Sequence, residues 1–254
     1  MNLFFRTYGE GLPLIILHGL FGSSDNWTTM AKELGKYRKI YLLDQRNHGQ
    51  SPHTPIFTYE AMANDLKQFI LQHDIIKPDI LGHSMGGKVA MHFAVRYPDQ
   101  INKLIVVDIG PKHYPIHHDV ILEGLKAIDI NNLQSRNEAD SELADYVENA
   151  GVRQFLLKNL KRHENGFIWK MNLEVIYDQI AEIGEGLGDN DQFNHDTLFV
   201  RGSLSKYILD KDWPTIIKHF PHAVLQTIQG ASHWVHAEKP NKLAAIIYEF
   251  LNMA

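Results

Sequence analysis

The chain has 254 residues, 44% hydrophobic and 22% charged, which is the balance of a globular protein with a sizeable core. Lys and Arg total 25 against 30 Asp and Glu, and a net charge of −5 without a basic run argues against nucleic-acid binding through phosphate neutralisation. There are no cysteines, which excludes disulfides, thiolate metal sites and a cysteine nucleophile.

The N-terminal residues lack the charged and apolar regions of a signal peptide. Apolar runs such as 14–17 and 104–107 are strand-sized, well short of the roughly 20 residues that a membrane-spanning helix needs. We therefore expect a cytoplasmic protein that contacts neither membrane nor nucleic acid.

Strand-like apolar runs alternate with helical patterns in the first 110 residues. The predicted strands are LFFRTY (3–8), LIILHG (14–19), KIYLLD (39–44), PDILGH (78–83) and KLIVVD (103–108). Helices are predicted at about 26–35, 59–73 and 84–96; in the second, one face carries Met62, Leu66, Phe69 and Ile70. This alternation indicates an α/β fold with a mostly parallel sheet, whose functional loops lie at the carboxyl ends of the strands.

The pattern changes after residue 110. Residues 111–195 contain no clear strand and are predicted to form amphipathic helices at 119–128, 138–148, 150–163 and 172–183. Strand patterns resume with TLFVRG (197–202) and AVLQTIQG (223–230), and a helix at 242–251 ends the chain. We predict a core domain of 1–110 and 196–254, with 111–195 inserted as a helical cap.

The stretch GHSMGGKV at 82–89 fits two motifs. As G-x-x-x-x-G-K it resembles a phosphate-binding loop, but Val89 replaces the Ser or Thr hydroxyl that would ligate Mg²⁺. As G-x-S-x-G it is a nucleophile elbow, where a strained turn presents Ser84 and where Gly82 and Gly86 let strand and helix approach closely. The elbow is the better prediction, and Ser84 is the candidate nucleophile.

Two further segments supply the rest of a serine nucleophile's chemistry. The turn LHGLFGS (17–23) follows a predicted strand, and we expect the backbone N–H of Leu20, rather than Phe21, to stabilise an oxyanion together with that of Met85. We expect His18 to bond to the loop backbone, with a role as general base the alternative.

A serine hydroxyl needs a histidine to take its proton. The segment GASHWVHAEKP (230–240) contains two candidates between the last strand and the last helix. His233 is nearer the strand end, where its loop reaches back toward the elbow, so it is the predicted base. His236 is expected to pack or cap.

Together these segments resemble the α/β-hydrolase superfamily and, more narrowly, the YbfF-type esterases, or abhydrolase-domain acyl-ester hydrolases. The resemblance covers the whole chain and is weakest in 111–195. The stretches that carry it are HGLFGS (18–23), DQRNHGQS (44–51), GHSMGGK (82–88), VVDIGP (106–111) and GASHWVHAEKP (230–240). It implies an eight-stranded, mostly parallel sheet, a helical cap after the sixth strand, and hydrolysis of carboxylic esters or acyl thioesters.

The catalytic acid departs from the family's commonest pattern. That pattern, G-x-x-D after the seventh strand, is GSLS here, which places Ser205 where an aspartate is expected. We prefer Asp108, at the end of a buried strand, because a carboxylate there needs a partner and His233 is a suitable one. Asp210 and then Glu174 are the alternatives, and a purely capping role for Asp108 stays open.

Two other polar clusters are interpreted as structural. Asp44, Arg46 and Gly49 are predicted to fasten a turn through an Asp–Arg pair and a glycine. The histidines at 113, 117 and 118 lack the spacing of a helical metal site, so no metal is predicted there.

These features predict a serine hydrolase with a Ser84–His233–Asp108 triad that cleaves short-to-medium esters or acyl thioesters, including acyl-CoA, without cofactor or metal. Phe155, Leu156 and Trp169 are expected to line the substrate pocket. One alternative is a C–C-bond hydrolase or lyase of the same fold, similar to the menaquinone-pathway synthase. The other is a ligand receptor that keeps the triad but turns over slowly.

Overall fold

The computed structural model describes residues 1–116, 118–164 and 166–253. Its strands are β1 (Phe5–Tyr8), β2 (Pro13–Leu17), β3 (Lys39–Leu43), β4 (Asp79–His83), β5 (Leu104–Val107), β6 (Leu160–His163), β7 (Gly166–Trp169), β8 (Thr197–Gly202) and β9 (Ala223–Ile228). Seven of them form one sheet in the order β1-β3-β2-β4-β5-β8-β9. β1 runs antiparallel to β3, and the other neighbouring pairs of this sheet are parallel.

The helices are α1 (Thr28–Leu34), α2 (Tyr59–Gln72), α3 (Met85–Arg96), α4 (Asp119–Ala127), α5 (Arg136–Ala144), α6 (Ala150–Leu157), α7 (Leu173–Asp178), α8 (Trp213–His219), α9 (Val235–Glu238) and α10 (Pro240–Phe250). The α2 helix begins where the Thr58 side chain accepts a hydrogen bond from the backbone N–H of Ala61. The four apolar residues predicted to share its face are all buried. None of the described helices is long and apolar enough to cross a membrane.

The sheet is covered on both faces, which explains the continuous apolar runs of its central strands. Successive side chains of β2 point to opposite faces. Ile15 and Leu17 pack in the cluster that contains α2 and α3, whereas Leu14 and Ile16 pack against α1 and α10. A polar residue at any of these positions would face a helix rather than solvent.

The segment between β5 and β8 contains α4 to α7 and also a β-hairpin, so the prediction that 111–195 holds no strand is wrong. The predicted helix over 150–163 ends at Leu157, and β6 then pairs antiparallel with β7, with Leu160 opposite Trp169. Of the strand residues described in this hairpin, only Leu160 and Phe167 are buried. Such a short strand pair carries too little periodicity to be distinguished from the end of a helix.

The sheet differs in one respect from the expectation of eight strands with an insertion after the sixth. The described sheet has seven strands, and the β5–β8 segment follows the fifth strand of the chain. Only two strand-length runs, at β1 and β2, precede the turn at His18. The segment still connects β5, the neighbour of the central strand β4, to β8.

Candidate active site

The predicted site residues lie at the carboxyl edge of the parallel strands. Ser84 follows β4, Asp108 follows β5, and His233 lies in the loop after β9. Loops at this edge converge because parallel strands end on the same side of the sheet. Residues separated by up to 149 positions thereby come within hydrogen-bonding distance.

Ser84 occupies a strained turn between β4 and α3. Its φ of 53° and ψ of −121° lie in a region that residues with a Cβ rarely adopt and that clusters at functional sites. The flanking glycines make the turn possible: a Cβ on Gly82 would lie 2.1 Å from the carbonyl oxygen of Gly86, and one on Gly86 would lie 2.4 Å from that of Leu17. The geometry is that of a nucleophile elbow.

Ser84, His233 and Asp108 form one hydrogen-bonded chain. The Nε2 atom of His233 lies 3.0 Å from Ser84 Oγ, and its Nδ1 atom lies 2.8 Å from Asp108 Oδ2. Because a carboxylate only accepts, Nδ1 carries the proton and Nε2 is left to accept from the serine hydroxyl. The Tyr207 ring stacks on the imidazole, with centroids 4.1 Å apart, and restricts its orientation.

Asp108 is completely buried, and its carboxylate has three hydrogen-bond donors. Besides His233, the backbone N–H of Gly202 donates to Oδ1 at 3.0 Å, and the Ser205 hydroxyl donates to Oδ2. Asp108 also has a positive φ, 53°, so two of the three linked residues have strained backbones. Ser205, which stands at the family's usual acid position, therefore contacts the carboxylate of this chain.

The two alternative acids lie elsewhere. Asp210 pairs with Arg201 at 2.6 Å, and its side chain is 91% exposed. Glu174 lies on the exposed side of α7. Of the three carboxylates considered, the structure brings Asp108 to His233.

The loop after β2 lies beside Ser84. Leu20 and Met85 both line a cavity against the serine, and Met85 is the first residue of α3, where backbone N–H groups have no partner within the helix. The backbone N–H of Phe21 instead donates to Nε2 of His48 at 3.2 Å. The backbone N–H of Phe21 is therefore already used in a hydrogen bond within the protein.

Two buried histidines hold the loops around the site. The Nε2 atom of His18 accepts from the backbone N–H of Gln45 at 3.0 Å, so its Nδ1 donates to the carbonyl of Gly19 at 2.9 Å. This is the structural arrangement expected for His18. His83, next to the nucleophile, donates from Nε2 to the carbonyl of His233 at 2.9 Å and so fixes the backbone of the predicted base.

Buried neutral histidines make the fold sensitive to acid. Burial lowers the pKa of His48 and of His236 to about 3, and that of His92 to about 4. The unfolded chain binds protons at these groups below about pH 6.5 whereas the folded chain does not, so stability falls as the pH drops from 6.5 toward 4. Each group contributes a slope of up to about 1.4 kcal/mol per pH unit.

Urea unfolding at pH 7.5, 6.5 and 5.5 measures this slope. His236→Phe keeps a ring that stacks on Trp27, as His236 does at 4.3 Å, and removes one titrating group. We expect a shallower loss of stability in the variant. An identical pH slope in the two proteins would contradict the assignment.

Two cavities meet at Ser84. The larger, about 260 Å³, has a mainly apolar wall that includes Phe21, Ile121, Val152, Phe155, Leu156 and Trp234. The smaller, about 30 Å³, is lined by residues such as Tyr59, Met85, Ile109 and Ile183. Phe155 and Leu156 therefore line the predicted pocket. Trp169 does not, since it faces a separate surface groove beside Arg6 and Lys170.

Lys88, the lysine of the rejected phosphate-loop motif, is completely buried one turn after Ser84. Its amine donates to the carbonyl of Glu185 at 2.8 Å and to that of Lys112, two segments that lie at opposite ends of the β5–β8 region. Burial lowers the pKa of Lys88 to about 7. The amine ties both connections of this region to the helix that follows the nucleophile.

The predicted pair between Asp44 and Arg46 is wrong. Arg46 Nε donates to Asp65 at 2.6 Å, whereas the Asp44 carboxylate accepts from backbone N–H groups such as that of Ser24, also at 2.6 Å. Gly49 is needed as predicted: its φ is 59°, and a Cβ there would lie 2.1 Å from Asp44 Oδ2. Asp65 lies 19 residues from Arg46, so spacing alone favoured the nearer carboxylate.

Of the three histidines considered for a metal, His117 lies outside the described residues. His113 is exposed, and His118 lines the larger cavity. Within the described ranges, no group of three or more His, Asp or Glu side chains is arranged to hold a metal ion.

Sequence reasoning missed three contributors to the site. His83 lies inside the elbow motif, but the motif assigns no role to the residue before the serine. Ser205 stands where the family's aspartate is expected and received no role, although its hydroxyl donates to the Asp108 carboxylate. Tyr207 follows Ser205 by two residues, and this proximity is the only sequence signal that could have indicated it.

Comparisons with known proteins agree with this architecture. Residues 13–136 match the family described as the alpha/beta hydrolase fold. The chain is 40% identical over 255 residues to the sn-1-specific diacylglycerol lipase ABHD11 of Danio rerio, covering 97% of this chain and 80% of that protein. It is 37% identical over 241 residues to esterase YbfF of Escherichia coli (strain K12), covering 94% and 93%.

Among solved structures, a marine microorganism esterase superposes with a TM-score of 0.94. It is 45% identical in sequence, and the match covers 98% of this chain and 99% of that one. The similarity extends through the β5–β8 segment because nearly the whole of each chain is included.

Proposed function

Since the chain belongs to the α/β-hydrolase fold family, with esterases and lipases as its relatives, we propose that it is a serine esterase cleaving short-to-medium carboxylic esters or acyl thioesters through an acyl-enzyme. The observation that carries the proposal is the hydrogen-bonded chain from Ser84 through His233 to Asp108, open to an apolar cavity. An inert glycine-rich turn would need neither the strained serine nor the buried carboxylate behind the histidine.

In the proposed mechanism, Ser84 Oγ attacks the carbonyl carbon while His233 Nε2 takes its proton. Asp108 holds the proton-bearing Nδ1 and stabilises the imidazolium that forms. The imidazolium then protonates the leaving oxygen or sulfur, and the acyl group stays on Ser84. Water, activated by the same histidine, releases the acid and restores the serine.

The developing oxyanion is assigned to the backbone N–H groups of Leu20 and Met85. The bond from Phe21 to His48 supports Leu20 over its neighbour, because an N–H already donating to a ring nitrogen is not free to bind substrate. Oxyanion donors of this kind each contribute about 10²- to 10³-fold to kcat. No cofactor or metal takes part in these steps.

We further propose that residues 111–195 act as a cap on the core formed by 1–110 and 196–254. Phe155 and Leu156 of α6 supply part of the apolar wall above Ser84. An apolar wall favours a small-molecule ester with hydrocarbon substituents, because burying them removes apolar surface from water.

The proposal is tested with p-nitrophenyl acetate, p-nitrophenyl butyrate and acetyl-CoA, combined with active-site titration by a fluorophosphonate. We expect multiple turnovers with at least one ester and labelling of one serine per chain. Stoichiometric labelling without repeated turnover would identify a slow-turnover receptor. Cleavage of a vinylogous diketone with no ester turnover would identify a C–C-bond hydrolase.

A further inference from the structure

The two cavities that meet at Ser84 are unequal in size and in chemistry. The larger has about 260 Å³ and includes His233 and Trp234 in its wall. The smaller has about 30 Å³ and includes Met85 but, among the described residues, not His233. An ester bound at Ser84 has two substituents, one on its carbonyl carbon and one on its alcohol oxygen.

The position of His233 decides which substituent enters which cavity. Its Nε2 atom must protonate the alcohol oxygen, so that oxygen and the chain attached to it lie on the His233 side of Ser84. That side is the larger cavity. The carbonyl oxygen turns toward Leu20 and Met85, and the acyl substituent is left facing the smaller cavity.

Hydrogen bonds hold the smaller cavity at its size. The Tyr59 hydroxyl donates to the carbonyl of Ile183 at 2.7 Å, joining α2 to the far end of the β5–β8 segment. The Tyr114 hydroxyl accepts from the backbone N–H of Gly110 at 2.9 Å and donates to the carbonyl of Tyr207 at 2.6 Å. Opening this cavity for a long chain would break buried hydrogen bonds.

Lys88 secures the same wall from behind. Its bonds to the carbonyls of Lys112 and Glu185 hold the two connections of the β5–β8 segment, which lie next to Tyr114 and Ile183. The wall of the larger cavity is built differently. Its Ile121, Val152 and Phe155 side chains are half-buried and project from helices α4 and α6.

We propose that the smaller cavity is the acyl site and that the enzyme prefers acetyl- or propionyl-sized esters of apolar alcohols, an inference that rests on the proposed esterase function. A cavity needs about 10–15 Å³ of such space to hold one water molecule, so a cavity of about 30 Å³ holds about two, and it accommodates a methyl or ethyl group. In the reaction, the bond from the carbonyl carbon to Ser84 Oγ forms, the bond to the alcohol oxygen breaks, and the serine proton passes through His233 to the alcohol.

Two isomeric esters test the assignment. Hexyl acetate and ethyl hexanoate contain the same atoms and differ in which side of the ester carries the long chain. We expect kcat/KM for hexyl acetate to exceed that for ethyl hexanoate by at least about tenfold, since several methylenes are excluded from the acyl site. Equal values or the reverse order would overturn the assignment while leaving the esterase function standing. Hydrolysis of neither isomer, nor of p-nitrophenyl acetate, would overturn both.

Two substitutions shift the ratio in a defined direction. Ile183→Ala enlarges the acyl site and is expected to bring the hexyl acetate to ethyl hexanoate ratio closer to one. Val152→Phe fills the larger cavity and is expected to raise KM for hexyl acetate more than for methyl acetate. Ile128→Ala removes a buried side chain of the same segment that lines neither cavity, and its ratio should stay at the wild-type value. Changes of equal size in Ile183→Ala and Ile128→Ala would contradict the assignment.

Discussion

Replacing Ser84 with alanine is expected to abolish turnover of p-nitrophenyl acetate, with kcat falling by about 10⁵-fold or more. Ser84 Oγ, which lies 3.0 Å from His233 Nε2, would form the acyl-enzyme, and alanine has no oxygen in its place. Steady-state hydrolysis and the mass of the fluorophosphonate-treated protein measure the effect. The treated variant should show no added mass.

A serine elsewhere at the carboxyl edge of the sheet serves as the control. Ser203 follows β8, and its hydroxyl accepts from the backbone N–H of Gly230 at 2.9 Å, away from the base. Ser203→Ala should keep kcat within about a few-fold of wild type, and both variants should unfold cooperatively. Wild-type turnover in Ser84→Ala would exclude Ser84 as the nucleophile.

The backbone strain at Ser84 allows folding and catalysis to be separated. Alanine has the same Cβ as serine and keeps the unfavourable φ of 53°, whereas glycine adopts it without penalty. Because Ser84→Ala keeps this strain, we expect the variant to unfold thermally at close to the wild-type temperature while it loses activity. Loss of activity without loss of stability identifies a group whose role is chemical rather than structural.

The parts of the structure that were predictable from sequence depend on local chemistry. The apolar runs of β2, β4 and β5 and the periodic face of α2 predicted their elements because each pattern is contained in a few neighbouring residues. The elbow was identifiable for the same reason, since Gly82 and Gly86 flank Ser84 within one turn. The signal for the candidate nucleophile is therefore contained in a few neighbouring residues.

The parts that were not predictable depend on contacts between distant segments. Arg46 pairs with Asp65 rather than Asp44, and Leu160 pairs with Trp169 in a hairpin that the helical pattern concealed. The prediction that Trp169 lines the substrate pocket is wrong, since the hairpin directs it to a separate groove. Contacts between residues distant in sequence depend on the fold, and residue type alone does not predict them.

Asp108 falls between these two cases. Its position at the end of a buried strand made it a candidate, but the choice over Asp210 depended on which loop reaches His233. The structure places Asp108 Oδ2 2.8 Å from His233 Nδ1 and leaves Asp210 exposed beside Arg201. The sequence indicates that a carboxylate at the end of a buried strand needs a partner, and the three-dimensional arrangement shows that this partner is His233.

Replacing Asp108 with asparagine is therefore expected to lower kcat by about 10⁴-fold near pH 7. The amide can donate to Nδ1, which then accepts and leaves the proton on Nε2, the wrong nitrogen to receive a proton from Ser84. Asp210→Asn should leave kcat within about a few-fold of wild type. The reverse result for the two variants would transfer the acid to Asp210.

Ser205 permits a sharper form of the same test. Its hydroxyl donates to the carboxylate oxygen that contacts His233, so a carboxylate at position 205 would lie next to the imidazole. Ser205→Ala alone removes one of three donors and is expected to lower kcat by about tenfold, the effect of one hydrogen bond to a charged group. In the Asp108→Asn background, Ser205→Asp is expected to recover at least about tenfold of the lost kcat. Recovery would show that the histidine needs a negative charge at Nδ1, because a carboxylate in the loop after β8 could not repair a disturbed backbone at Asp108.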